Sequence, residues 1–129
     1  MNNKKIIKKK SSDTFLSERV VELILTRNVE SLARLTEEKI AETLEINPAY
    51  LLKIFETDQR ICLSRFISRE KIRRAFFILE KDHAMSIEGL SRKLGFCQAN
   101  DFAREFEKFL AIEPTKFKDL KNKGKNILQ

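Results

Sequence analysis

A chain of 129 residues with 42% hydrophobic and 35% charged residues can bury one or two small cores and has no room for several large domains. Three glycines and two prolines, set against abundant Lys, Glu, Leu, Ile, Ala and Arg, make an all-α fold the expectation. A net charge of +7 points to a polyanionic partner, while no apolar run reaches the roughly 18 residues that could span a membrane.

The charge is unevenly placed. Residues 1–10 carry five lysines and no acid, residues 11–60 carry 6 basic and 10 acidic groups, and residues 61–129 carry 15 and 9. Residues 1–12 therefore read as a basic, disordered arm that adds affinity without sequence information, or as a solubilising tail. The arm has no apolar core and no small-residue cleavage site, so it is not a secretory signal. Cys62 and Cys97 are far apart and the single histidine, His83, is beside neither, which argues against zinc, any other metal and a disulfide framework. Neither a nucleophile–base pair nor a phosphate loop is present, so the chain reads as neither an enzyme nor a cofactor binder. It reads as cytoplasmic and associated with the nucleoid.

Helical periodicity predicts seven helices in chain order. The first runs from Asp13 to Arg27, capped by Ser12 or Asp13, with Phe15, Leu16, Val20, Leu23 and Ile24 inward; Asn28 interrupts it. The second is Thr36 to Leu44, with Thr36 as cap, Glu37 and Glu38 in the first turn, and Ile40, Ala41 and Leu44 inward. Asn47-Pro48 opens the third, because Asn caps well and Pro suits the first helical position; its inner face is Leu51, Ile54 and Phe55. From Ile61 to Lys81 no residue breaks the helix, and Leu63, Phe66, Ile67, Ile72, Ala75, Phe76 and Leu79 form one stripe. At 1.5 Å per residue this helix is about 30 Å long, enough to join two subdomains. A loop follows from Lys81 to Met85. Ser86 then caps a fifth helix, Gln98 to Leu110 is the sixth, and Pro114 to Lys121 is the seventh, leaving residues 122–129 as a tail.

An internal repeat organises these elements. Thr36 to Ile46 (TEEKIAETLEI) and Ser86 to Phe96 (SIEGLSRKLGF) match at an offset of 50, pairing Glu38 with Glu88, Ala41 with Ser91 and Leu44 with Leu94. With one extra residue in the second turn, Asn47 to Phe55 matches Gln98 to Phe106, so Leu51 pairs with Phe102 and Lys53 with Arg104. A short helix with a small inward residue, a tight turn and a second helix is a helix-turn-helix unit. Two of them joined by a helix of about 30 Å suit B-DNA, whose major-groove faces repeat every 34–36 Å or so. The domain reading is therefore 13–60 and 82–121 as helix-turn-helix subdomains, with 61–81 as the linker helix.

These residues carry a family resemblance. Ile87 to Phe96 (I-x-x-L-S-x-x-L-G-F), then Phe102, Arg104, Phe106 and Pro114, together with Ile40-Ala41, Asn47 to Leu51, Phe55, Phe66, Ile67, Lys71, Ile72 and Ala75, resemble the DNA-binding domain of the AraC/XylS family of bacterial transcription regulators. The similarity covers Leu35 to Lys118. It implies seven helices, two helix-turn-helix units and a linker helix. This chain has Arg60 and Ala111 where the family usually has glycine, and Glu45 where its own second unit has Gly95. A left-handed non-glycine residue costs about 1 kcal/mol, so either these turns differ in shape or the fold tolerates strain.

The resemblance also implies which faces read bases: Ala49, Tyr50, Leu52 and Lys53 in the first unit, and Gln98, Asn100, Ala103 and Arg104 in the second. Side-chain chemistry ranks the second set higher. Arg104 can bond guanine O6/N7 and Asn100 adenine N6/N7, each pairing giving roughly 1–3 kcal/mol of discrimination, so the second unit is expected to supply more of the specificity. First-unit dominance is the pattern often associated with the family. Phosphate contacts are expected from Arg65, Arg69, Arg73, Arg74, Arg92, Lys93, Lys116 and Lys118.

Each assignment has a plainer rival. The rival reading makes Arg104 an ion-pair partner of Asp101 or Glu107 at spacing three, Phe102, Phe106 and Phe109 core, Cys97 a small filler and His83 a solvated loop residue. The function expected is a sequence-specific DNA-binding regulator, an activator contacting RNA polymerase, with double-stranded DNA as partner. The alternative is an interaction adaptor whose acidic first half docks polymerase or another regulator without reading DNA. With Met1 at the start and no space for an effector domain, the expectation is either one of the small stand-alone activators that the chain resembles or a C-terminal domain excised from a larger regulator.

Overall fold

A computed structural model of the chain describes residues 12–82 and 84–128, with side chains through Lys123. The lysine arm up to residue 11 and His83 lie outside the described residues. Among these, eight helices and no strand occur: α1 (Ser12–Leu25), α2 (Val29–Ala33), α3 (Glu37–Leu44), α4 (Pro48–Gln59), α5 (Leu63–Lys81), α6 (Ile87–Lys93), α7 (Ala99–Leu110) and α8 (Pro114–Leu128). The all-α expectation holds, and the extra helix is α2. The first helix stops at Leu25, two residues short of the expected Arg27, and Asn28 beyond it accepts a hydrogen bond from Ser31 N at 2.8 Å and so caps a new five-residue helix. At the other end α8 continues past Lys121, since no proline follows and Gly124 alone is a weak breaker.

The chain divides into two compact units. One contains residues up to Thr26 plus Leu35–Phe66; the other contains Arg27–Arg34 plus Ile67–Gln129. In the first unit α1 and α3 both pack on α4, burying Val20, Ile24, Ile40, Ala41, Leu51, Phe55, Leu63 and Phe66. The Phe55 and Phe66 rings meet edge-to-face at 5.4 Å. The inward face of α1 is Ser17, Val20 and Ile24, whereas Phe15, expected inside, is 59% exposed. Apolar residues surround much of α1, so periodicity alone does not choose which face meets α4. Ser17 sits in that face because Asp58 on α4 accepts its hydroxyl proton, with Thr14 and Gln59 also bonded to Asp58.

The second unit closes around Ile72, Ala75, Leu79, Leu90, Leu94, Phe102, Phe106 and Phe117, with Val29 of α2 packed on the edge. The Phe76 and Phe106 rings both meet Phe117 in tilted contacts, at centroid distances of 5.2 and 6.0 Å. The apolar stripe of α5 is thus shared in chain order: Leu63 and Phe66 belong to the first core, and Ile72, Ala75 and Leu79 to the second. One acid, Glu70, is buried in that stripe; both its oxygens accept from Arg73 at 2.8 and 2.9 Å, and Arg74 adds a third bond at 2.7 Å. Burial alone would raise the Glu70 carboxyl, but the two guanidinium groups outweigh it and hold the group below its usual value. The linked stability is present above the unfolded carboxylate range and is lost as pH falls through the lower folded value. Glu70→Gln should therefore be less stable at neutral pH and show a flatter acid limb between about pH 5 and 3 in denaturation curves.

The turns of the two repeats share one geometry. In the first, Ile46 N donates to Ala41 O at 3.0 Å and Glu45 N to Glu42 O at 3.1 Å; in the second, Phe96 N donates to Ser91 O and Gly95 N to Arg92 O, both at 3.0 Å. These are paired Schellman bonds, offset by 50 residues throughout. The second helices of the two repeats, α4 and α7, also end alike, with Arg60 N on Glu56 O at 2.9 Å and Ala111 N on Glu107 O at 2.8 Å, now offset by 51. Cys97 is the inserted residue, and it is exposed rather than a filler. The left-handed non-glycine residues among those described are Glu45 (φ 57), Arg60 (φ 62) and Ala111 (φ 62), the three positions where glycine was expected. The turns keep their shape and carry the strain. Glu45→Gly should accordingly raise stability by about 1 kcal/mol, or a few degrees in a thermal melt; a lower melting temperature would mean that the glutamate side chain contributes more than its backbone costs.

Candidate nucleic-acid interface

Both α4 and α7 are anchored by their aromatic and aliphatic side and present the opposite side to solvent. On α4, Leu51 and Phe55 are buried while Ala49, Tyr50 and Lys53 are exposed and Leu52 is half-buried. Spacings of three and four place Ala49, Tyr50 and Lys53 on one helical face. On α7, Phe102 and Phe106 are buried while Gln98, Asn100 and Arg104 are exposed and Ala103 is half-buried. Phe96 in the preceding turn rests against Phe102 at 5.5 Å, and the Lys71 ammonium lies 5.5 Å from the Phe96 ring centre. Burial pushes the Lys71 pKa down.

The starts of the two helices differ. Asn47 caps α4 by accepting from Tyr50 N at 3.1 Å, whereas Gln98 at the same place on α7 makes no side-chain cap bond. The side chains expected to read bases also have acidic neighbours. Arg104 Nη2 donates to Asp101 Oδ1 at 2.6 Å, with the arginine side chain 71% exposed. Four of its five N–H donors are not used in this pair. Tyr50 donates its hydroxyl to Asp13 Oδ1 at 2.7 Å.

The residues expected to meet phosphate fall into distinct groups. Arg92 and Lys93 are exposed at the last turn of α6, where cations also complement the helix dipole. Arg69 is exposed and Arg65 half-buried. Arg73 and Arg74 bond Glu70, and Arg74 is only 15% exposed, so both also hold that buried acid. Lys116 lies 4.0 Å from Glu113 and Lys118 is half-buried.

The contact of Asp101 with Arg104 is legible in sequence at spacing three. That of Asp13 with Tyr50 spans 37 residues and has no local signal. The same holds for Ser17 with Asp58 across 41 residues, which joins α1 to the far end of the recognition helix.

Two units of one backbone design, each presenting the exposed face of its second helix, define a tandem helix-turn-helix domain. Comparison with solved structures supports this assignment. The C-terminal domain of AraT, a response regulator from Geobacillus stearothermophilus, superposes with a TM-score of 0.70 over 81% of this chain and 84% of that one, at 20% identity. In sequence, the chain is 29% identical over 84 residues to the Msm operon regulatory protein of Streptococcus mutans, and 30% identical over 90 residues to the HTH-type transcriptional regulator YtdP of Bacillus subtilis. These alignments take in 64% and 69% of this chain but 30% and 11% of the relatives, so the chain spans less than a third of the length of either. No protein-family model matches the chain. The likeness to that solved regulator domain is one of fold, a tandem helix-turn-helix, as the motifs imply. Among the described residues no helix is long and apolar enough to cross a membrane.

Proposed function

We propose that this chain is a sequence-specific DNA-binding transcription regulator that lays α4 and α7 into successive major grooves of a promoter and, as an activator, contacts RNA polymerase. The observation that carries this reading is the twice-built turn: identical backbone bonds at offsets of 50 and 51 present two outward faces with base-reading chemistry, Tyr50 and Lys53 on one and Asn100 and Arg104 on the other. Nothing in a solvent-exposed helix bundle requires that duplication, whereas two grooves on one side of a duplex do. The regulators it resembles in sequence support the same reading, including one named for control of an operon.

Basic groups around these faces would supply the salt-dependent part of the affinity, with Arg92 and Lys93 best placed for phosphate. Selection of bound duplexes from a random pool tests the proposal. It should return a site of about 20 base pairs with two half-sites one helical turn apart. Weak, sequence-independent retention that vanishes at moderate salt would instead favour the adaptor reading.

A further inference from the structure

We infer that Asp13 fixes the hydrogen-bond polarity of Tyr50, making this tyrosine a reader of exocyclic base amines, adenine N6 or cytosine N4, and not of the keto oxygens of guanine or thymine. This rests on the proposed DNA-reading role of α4. A tyrosine hydroxyl has one proton to donate and lone pairs with which to accept. In this chain the proton is taken: the hydroxyl lies 2.7 Å from Asp13 Oδ1, and an ionised carboxylate can only accept. What the hydroxyl offers to the groove is therefore an acceptor. The same bond, with burial and the carboxylate charge adding to it, raises the Tyr50 pKa, so the group stays a neutral phenol.

Tyr50 is also held at its base. Its backbone N–H donates to Asn47 Oδ1 at 3.1 Å, placing it in the first turn of α4, where residues of a recognition helix meet base edges. Its ring is about half exposed. In the major groove adenine and cytosine present an amine, whereas guanine and thymine present O6 and O4 acceptors at the corresponding edge. An acceptor-only hydroxyl bonds the first pair and is left facing a lone pair by the second. Asp13 also sets its negative charge beside the reading atom, which opposes approach of keto oxygens further. Asp13 is thus a positioning residue that touches no base.

The test uses the full chain and duplexes carrying its selected site, with each of the four base pairs placed in turn at the position where Tyr50→Phe lowers discrimination. The wild-type protein should prefer A or C on the contacted strand over T or G by about five-fold, the worth of one hydrogen bond. Asp13→Asn, close to isosteric, can present either its amide N–H or its carbonyl oxygen to the hydroxyl, so the polarity of Tyr50 is no longer fixed and the preference at that position should flatten. Preferences in the other half-site should not move, which distinguishes lost polarity from lost folding; circular dichroism of each variant checks the helices. A wild-type preference for G or T at that position, or an A/C preference undiminished in Asp13→Asn, would overturn the inference while leaving DNA reading intact. If the wild-type chain selects no site at all, the proposed function itself fails, and Tyr50 reads nothing.

Discussion

Gly95→Ala is expected to lower the stability of the second unit by about 3 kcal/mol or more, the strain of a left-handed residue plus that of an overpacked contact. Gly95 has φ +84, and a Cβ built there would lie 2.2 Å from the Ala33 carbonyl oxygen and 3.0 Å from its carbonyl carbon. Those are backbone atoms, so no side chain can swing aside. To make room, α2 must shift, which disturbs buried Leu32 and the packing of Val29 on the second core. Glu45 provides the internal control. It occupies the equivalent turn with the same two hydrogen bonds and a φ of 57, so conformation alone is tolerated at about 1 kcal/mol. Denaturation of Gly95→Ala beside Glu45→Gly, which removes the backbone strain alone, separates the two contributions. A loss no larger than about 1 kcal/mol for Gly95→Ala would show that α2 gives way easily and that only the backbone angle matters.

Arg104→Ala is expected to weaken binding to the selected duplex by about 1–3 kcal/mol, roughly five- to 150-fold, with preference relaxed at a single base pair. Its ion pair with Asp101 is exposed on both sides, and such pairs contribute little to stability. The melting temperature should therefore hardly change. That combination separates a base reader from the plainer reading of Arg104 as a surface ion-pair partner, under which neither measurement moves. Arg92→Ala or Lys93→Ala should behave differently again, lowering affinity for all sequences alike and reducing the slope of log affinity against log salt by about one. If Lys53→Ala relaxes specificity more than Arg104→Ala, the ranking of the second unit above the first is reversed.

Much of the fold was legible in the residues. Cap residues Thr36, Asn47 and Ser86, each accepting from a backbone N–H three residues on, announce helix starts because their chemistry is local. The buried stripe of α5 was visible for the same reason, as was Asp101 within reach of Arg104. The inward face of α1 was legible only in part: Val20 and Ile24 are buried as expected, but Phe15 is exposed and Ser17 buried, since apolar residues encircle the helix and the choice belongs to its partner. Helix α2 was missed because five residues carry too little periodicity to register. Its membership of the second unit was equally hidden, as the segment is joined in sequence to the first.

Gly95 shows the division most clearly. Sequence by itself determined that a turn stands there, that it repeats the turn at Glu45, and that glycine suits it, because helix periodicity and turn chemistry act over a few residues. Only the tertiary structure decided why glutamate suffices at one turn and glycine is needed at the other: the Ala33 carbonyl, 62 positions earlier in the chain, closes on Gly95 and leaves no space for a Cβ. The Asp13–Tyr50 bond belongs to the same class. Close approach of segments distant in sequence is set by how helices pack, and no local pattern of residues encodes it.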